Sequence, residues 1–184
     1  KTIRVLATVA ALFTASVLIG LLTSCASNPS VNSATSANGG SPTASLYANA
    51  APLDLRLSAW PYPYPTKEFK TSLQGVPASM IYMAVAAQGK QKGVVLLFHG
   101  KNFSSDYWAP TIAGLTQAGY RVIAPDQIGF GKSSKPNVQY HFDDLALNTK
   151  ALLKSLGIQR VSVIANSMGG MVGIRFACLY PQTV

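Results

Sequence analysis

Residues that commonly build metal and acid–base sites are scarce in this sequence. Among 184 residues there are two histidines, two cysteines and six carboxylates: Asp54, Glu68, Asp106, Asp126, Asp143 and Asp144. The histidines and cysteines show no metal-ligand spacing, so neither a metal site nor a cofactor is expected. Cys25 and Cys178 lie far apart in different contexts and are not expected to pair; Cys178, in an apolar helical stretch, reads as a small buried thiol. Charged residues make up only 11%, yet the net charge is +9. A nucleic-acid binder would gather its Lys and Arg on one face or stripe. Here they are scattered through Lys1, Arg4, Lys67, Lys70, Lys90, Lys92, Lys132 and Lys135. That pattern fits a solvated basic surface and excludes nucleic acid as the expected partner.

Long apolar runs are confined to the start of the chain. Lys1 and Arg4 precede the apolar stretch Val5–Leu22, which ends at Leu22-Thr23-Ser24-Cys25. This resembles a bacterial lipoprotein signal peptide over residues 1–24, with Cys25 as the lipidated, mature N-terminus. The run is also close to the length of a membrane span, but a cysteine at that place before a polar tail favours the lipoprotein. Ala26 rather than Asp after the cysteine points, by the same resemblance, to the outer membrane. Residues 25–58 then form a flexible Ser/Asn/Gly/Pro tether with little to bury. Trp60-Pro61-Tyr62-Pro63-Tyr64-Pro65 should run extended, its aromatics packing on the following domain.

From Glu68 onward the pattern is globular. Glu68–Gln74 and Ser79–Ala86 read as paired strands around Gly75-Val76-Pro77. Gly93–Phe98 is a doubly buried strand. It is followed by a helix over Asp106–Ala118, a strand over Tyr120–Ala124, a Gly-rich loop over Asp126–Ser134 and a helix over Phe142–Leu156. A strand over Val161–Ala165 and a helix over Met168–Leu179 complete the series. This alternation predicts an α/β fold, a mostly parallel sheet with helices on both faces. Its chemistry belongs at the carboxyl ends of the strands, where His99-Gly100, Asp126–Gly131 and Ser167 all fall.

Ala165-Asn166-Ser167-Met168-Gly169 has the form of a nucleophile elbow. A serine between strand and helix is forced into a strained conformation, and its neighbours two positions away must be small. Gly169 satisfies this, and Ala165 adds one methyl where glycine is commoner. An oxyanion requires two preorganised N–H donors. Met168, at the helix N-terminus, offers one. The turn His99-Gly100-Lys101-Asn102 offers the other, from Lys101 or its neighbour Asn102, with Lys101 preferred. His99 and Gly100 are read as structural, the imidazole holding the turn by hydrogen bonds rather than acting as base; His141 is read as a rim residue. Gly129-Phe130-Gly131-Lys132-Ser133-Ser134 ends like a phosphate-binding loop. Asp126 replaces the required first glycine, however, and Pro136 disfavours a helix from Lys132, so no nucleotide is expected.

His99-Gly100, the Asp126–Ser134 loop and the Ser167 elbow, in this order, resemble the α/β-hydrolase superfamily. The resemblance covers Glu68 to the end, within a domain placed at residues 59–184. It implies a serine hydrolase in which Ser167 attacks an acyl carbon, a histidine takes its proton and an acid orients that histidine. Asp126 matches the structural turn after the family's fourth strand, not the acid. A serine nucleophile separates the chain from members with an Asp nucleophile, namely epoxide hydrolases and haloalkane dehalogenases. No Asp, Glu or His follows Ser167, although in the family both partners come later. The expectation is therefore an inactive N-terminal portion, with the C-terminal half of the fold, the acid and the histidine absent. The partners expected are a small acyl substrate and, through Cys25, a membrane. The alternative is a non-catalytic envelope lipoprotein that uses the scaffold as a binding module.

Overall fold

Gln74 and Gly75, at φ of 52° and 79°, turn the chain within a two-residue hairpin. They join β1 (Thr66–Leu73) to β2 (Val76–Val85) with Leu73 opposite Val76. The computed structural model describes residues 52–184, which fall in one compact unit, Ala50–Val184. The expected signal peptide, Cys25 and the tether up to residue 51 lie outside the described residues. β2 begins earlier than the expected Ser79 and runs through Pro77. Along that stretch β1 is its one strand neighbour among the described residues, since β4 pairs with β2 over Tyr82–Val85 alone, so the missing proline N–H interrupts no ladder on that side.

β3 (Gly93–Phe98), β4 (Tyr120–Pro125) and β5 (Ser162–Ala165) complete a five-stranded sheet of order β1-β2-β4-β3-β5. β3 lies parallel to both β4 and β5, while β1 and β2 run antiparallel. The helices are α1 (Ala109–Gln117), α2 (Phe142–Ser155) and α3 (Met168–Leu179). The single helix expected over Asp106–Ala118 is divided: Ser105–Trp108 is a 3-10 turn before α1. Pro110 explains the division. It cannot donate to the Asp106 carbonyl as an α-helix from that point requires, and Ala109 N–H bonds that carbonyl instead.

The pleat sorts the core into two layers. Leu96 and Phe98 of β3 pack with α2 and α3, through Leu145, Leu152, Val172 and Phe176. Val95 and Leu97 face the other way, onto Trp108 and Ile112 of the 3-10 turn and α1. Helices thus cover both faces, and burial of each large side chain contributes about 1.5–3 kcal/mol. β5 stands at one end of the strand order with Ile164 37% exposed. Cys178 is exposed rather than buried. On α3 the buried side is set by Val172, Gly173 and Phe176, and two residues beyond Phe176 is the opposite side of a helix.

Candidate active site

Ser167 lies between β5 and α3 at φ 53° and ψ −124°. No ordinary L-residue relaxes there, so this backbone stores strain of order 1–3 kcal/mol. A serine at a helix start commonly caps it. The Ser167 hydroxyl makes no cap bond, and the residue is exposed. The turn is tight because Gly169 has no side chain: a Cβ there would lie 2.3 Å from the Phe98 carbonyl oxygen and 2.6 Å from that of His99. Ala165 is accommodated, its methyl 3.5 Å from where a Gly173 Cβ would stand.

The turn after β3 meets this elbow directly. A Cβ on Gly100 would sit 3.4 Å from the Ser167 Cβ and 3.0 Å from the Asn166 side-chain oxygen. Lys101 and Asn102 follow, both exposed, with Asn102 at φ 63°. Among the described residues neither the Lys101 nor the Met168 backbone N–H donates a hydrogen bond to another backbone group outside the helices and strands. Met168 is the first residue of α3, where an N–H has no intrahelical acceptor. The Lys101 and Met168 N–H groups, like that of Asn102, therefore have no backbone acceptor among the described residues, and Gly100 brings the Lys101 turn against the serine.

His99 is fully buried and uses both ring nitrogens. Nε2 accepts from the Gln127 backbone N–H at 2.8 Å, which leaves Nδ1–H to donate to the Gly100 carbonyl at 2.8 Å. Burial holds the imidazole below its ordinary pKa, so the neutral ring is favoured. His141 lies elsewhere, at the exposed start of α2.

Asp126, also fully buried, sits at the end of β4. Its Oδ1 accepts from Ser105 N–H at 2.7 Å; Oδ2 accepts from Lys132 N–H at 2.7 Å and from the Tyr62 hydroxyl at 2.5 Å. A Cβ on Gly131 would stand 2.3 Å from that same Oδ2. The Gly129–Ser134 segment forms turns and starts no helix. The Ser133 hydroxyl is engaged internally, donating to the Asp126 carbonyl and accepting from Ile81 N–H. Tyr62 packs on the domain as its proline-flanked aromatic context implies, but its bond to Asp126 has no counterpart in the residue pattern. A hydroxyl between two prolines gave no sign of its partner. Among the described residues no cluster of three His, Cys, Asp or Glu could hold a metal.

Residues 93–184 match the family described as the alpha/beta hydrolase fold. The chain belongs to that family. It is 33% identical over 124 residues to a haloalkane dehalogenase of Mesorhizobium japonicum, covering 67% of this chain and 39% of that protein. Epoxide hydrolase B of Mycobacterium tuberculosis is 38% identical over 95 residues, covering 50% and 27%. Among solved structures, a probable hydrolytic enzyme from Pseudomonas aeruginosa PAO1 superposes with a TM-score of 0.68 at 52% identity, covering 70% of this chain and 42% of that one. The chain thus spans less than half the length of each of these proteins. Family and relatives support a hydrolase of the α/β class.

Proposed function

We propose that this chain carries the nucleophile and oxyanion hole of a serine hydrolase acting on an ester or related acyl bond. Ser167 Oγ adds to the acyl carbon, and the Lys101 and Met168 amides receive the developing oxyanion. The histidine that takes the serine proton, and the acid that orients it, are assigned to sequence beyond residue 184, in keeping with the greater length of the relatives. Water then releases the acyl group from Ser167. The observation that carries this reading is the exposed Ser167 on a strained elbow, against a turn whose Lys101 and Asn102 N–H groups have no backbone acceptor among the described residues.

Two relatives are named for haloalkanes and epoxides, yet the nucleophile here favours an acyl substrate. Attack of a serine hydroxyl on a haloalkane or epoxide carbon would leave an ether, which water does not reopen. Attack on an acyl carbon leaves an ester, which it does. The same reading lipidates Cys25 and tethers the domain to the cell envelope through residues 25–58.

The test is hydrolysis of short-chain nitrophenyl esters by the full-length gene product. Turnover should fall by at least about a thousandfold in Ser167→Ala, and residues 1–184 alone should show none. Turnover unchanged in Ser167→Ala would defeat the nucleophile. Robust Ser167-dependent turnover by residues 1–184 alone would defeat the assignment of the histidine and acid to later sequence.

A further inference from the structure

We propose that Tyr62 is a positioning residue: through the Asp126 carboxylate it holds the loop that carries the Lys101 amide. The catalytic consequence rests on the serine-hydrolase reading; the hold on the loop does not.

Residues 99–104 belong to no strand or helix. Two consecutive residues of the β4 end staple this segment at both its limits. At the start, Gln127 N–H binds the His99 ring, which in turn binds Gly100. Just past the end, Ser105 N–H binds Asp126 Oδ1 at 2.7 Å. The second staple is only as firm as the carboxylate itself. Asp126 is fully buried, and the ion pairs among the described residues are Arg56–Glu68 and Arg175–Asp143, neither involving it. A buried carboxylate without a cation depends on its hydrogen-bond donors. Asp126 has three of them: Ser105 N–H, Lys132 N–H and the Tyr62 hydroxyl.

The Tyr62 hydroxyl is the one donor of the three that comes from outside the loops at the rim. It arrives on a stiff segment, since Pro61 and Pro63 fix the backbone on either side. That segment is pinned a second time beside the same loop, where the Trp60 indole donates to Asp106 Oδ2 at 2.9 Å. The Lys132 ammonium lies 4.6 Å above the Tyr62 ring. Packing alone would be served by a phenylalanine. The hydroxyl is spent on the carboxylate that anchors the loop, and without it Asp126 must turn toward another donor and loosen Ser105.

The experiment compares full-length wild type with Tyr62→Phe, using a fluorophosphonate probe and backbone amide exchange. The rate constant for labelling at saturating probe should fall about tenfold, the worth of one hydrogen bond to a charged group. Apparent probe affinity should change less than about twofold, and exchange of the hydrogen-bonded Phe103 and Ser105 amides should accelerate by a similar tenfold. Tyr64→Phe removes a hydroxyl from the same segment and should leave both readouts unchanged. Should Tyr62→Phe fail to fold, Trp60→Phe at the exposed end should accelerate the same exchange about threefold. Unchanged exchange at Phe103 and Ser105 in the folded variant overturns the proposal, whatever the labelling rate. Wild type that resists labelling while Tyr62→Phe still loosens the loop would uphold the strap and defeat the hydrolase reading.

Discussion

Gly169→Ala should be far more damaging than Gly170→Ala, although the two glycines are adjacent in the first turn of α3. A Cβ at Gly169 meets two backbone oxygens at 2.3 and 2.6 Å, where ordinary contact begins near 3.4 Å. Neither oxygen sits on a flexible side chain, so α3 and the end of β3 must separate by about 1 Å. Overpacking of this kind costs about 1–3 kcal/mol, and two backbone contacts place it at the upper end. For a domain of this size that is a fall in Tm of about 10 °C. A Cβ at Gly170 meets nothing within 4 Å. There the substitution removes only the entropy cost of glycine in a helix and should raise stability by about 0.5–1 kcal/mol. The same separation moves the Met168 amide away from the Lys101 turn, so Gly169→Ala should also slow serine labelling about a hundredfold in the full-length product. Thermal unfolding of both variants measures the first effect. Equal melting temperatures would refute the view that Gly169 is held against β3.

Further outcomes follow from the same geometry. Ser167→Gly should be more stable than Ser167→Ala by about 1 kcal/mol in urea unfolding, because only glycine relaxes at φ 53° and ψ −124°. Gly131→Ala combines a positive φ of 51° with a Cβ 2.3 Å from the Asp126 carboxylate; it should cost about 3 kcal/mol or more, read from the urea midpoint. Burial lowers the His99 pKa in the folded state below 6.5, so the unfolded chain binds more protons in acid. Stability from this group is present above about pH 6.5 and declines as pH falls below it, by at most about 1.4 kcal/mol per unit. Stability measured against pH should lose that component of its slope in His99→Gln.

Much of the scaffold was legible because its signals are local. The apolar, β-branched run of β3 and the start and end of α3 are found where the residue pattern puts them. Patterning failed where one residue's effect depends on a neighbour in space. Pro77 looked like a strand break, but among the described residues no second strand flanks β2 there. Pro110 looked compatible with one helix, yet the Asp106 carbonyl it cannot bond converts the preceding turn to 3-10. Cys178 was misplaced because an all-round apolar helix carries no clear inner face, and its orientation is set by Phe176 packing on Phe98 at 5.9 Å between ring centres. At the site, Gly100, Ser167 and Gly169 announce themselves through spacing. The bond from Tyr62 to Asp126 spans 64 residues and leaves no periodic trace.

The most direct measurement is the mass of the covalent adduct formed by folded full-length protein with a fluorophosphonate. A single phosphonyl group on the Ser167 hydroxyl, absent after Ser167→Ala and after denaturation, is the result expected. No adduct at Ser167, or equal labelling of folded and denatured chains, would show that the elbow does not activate its serine.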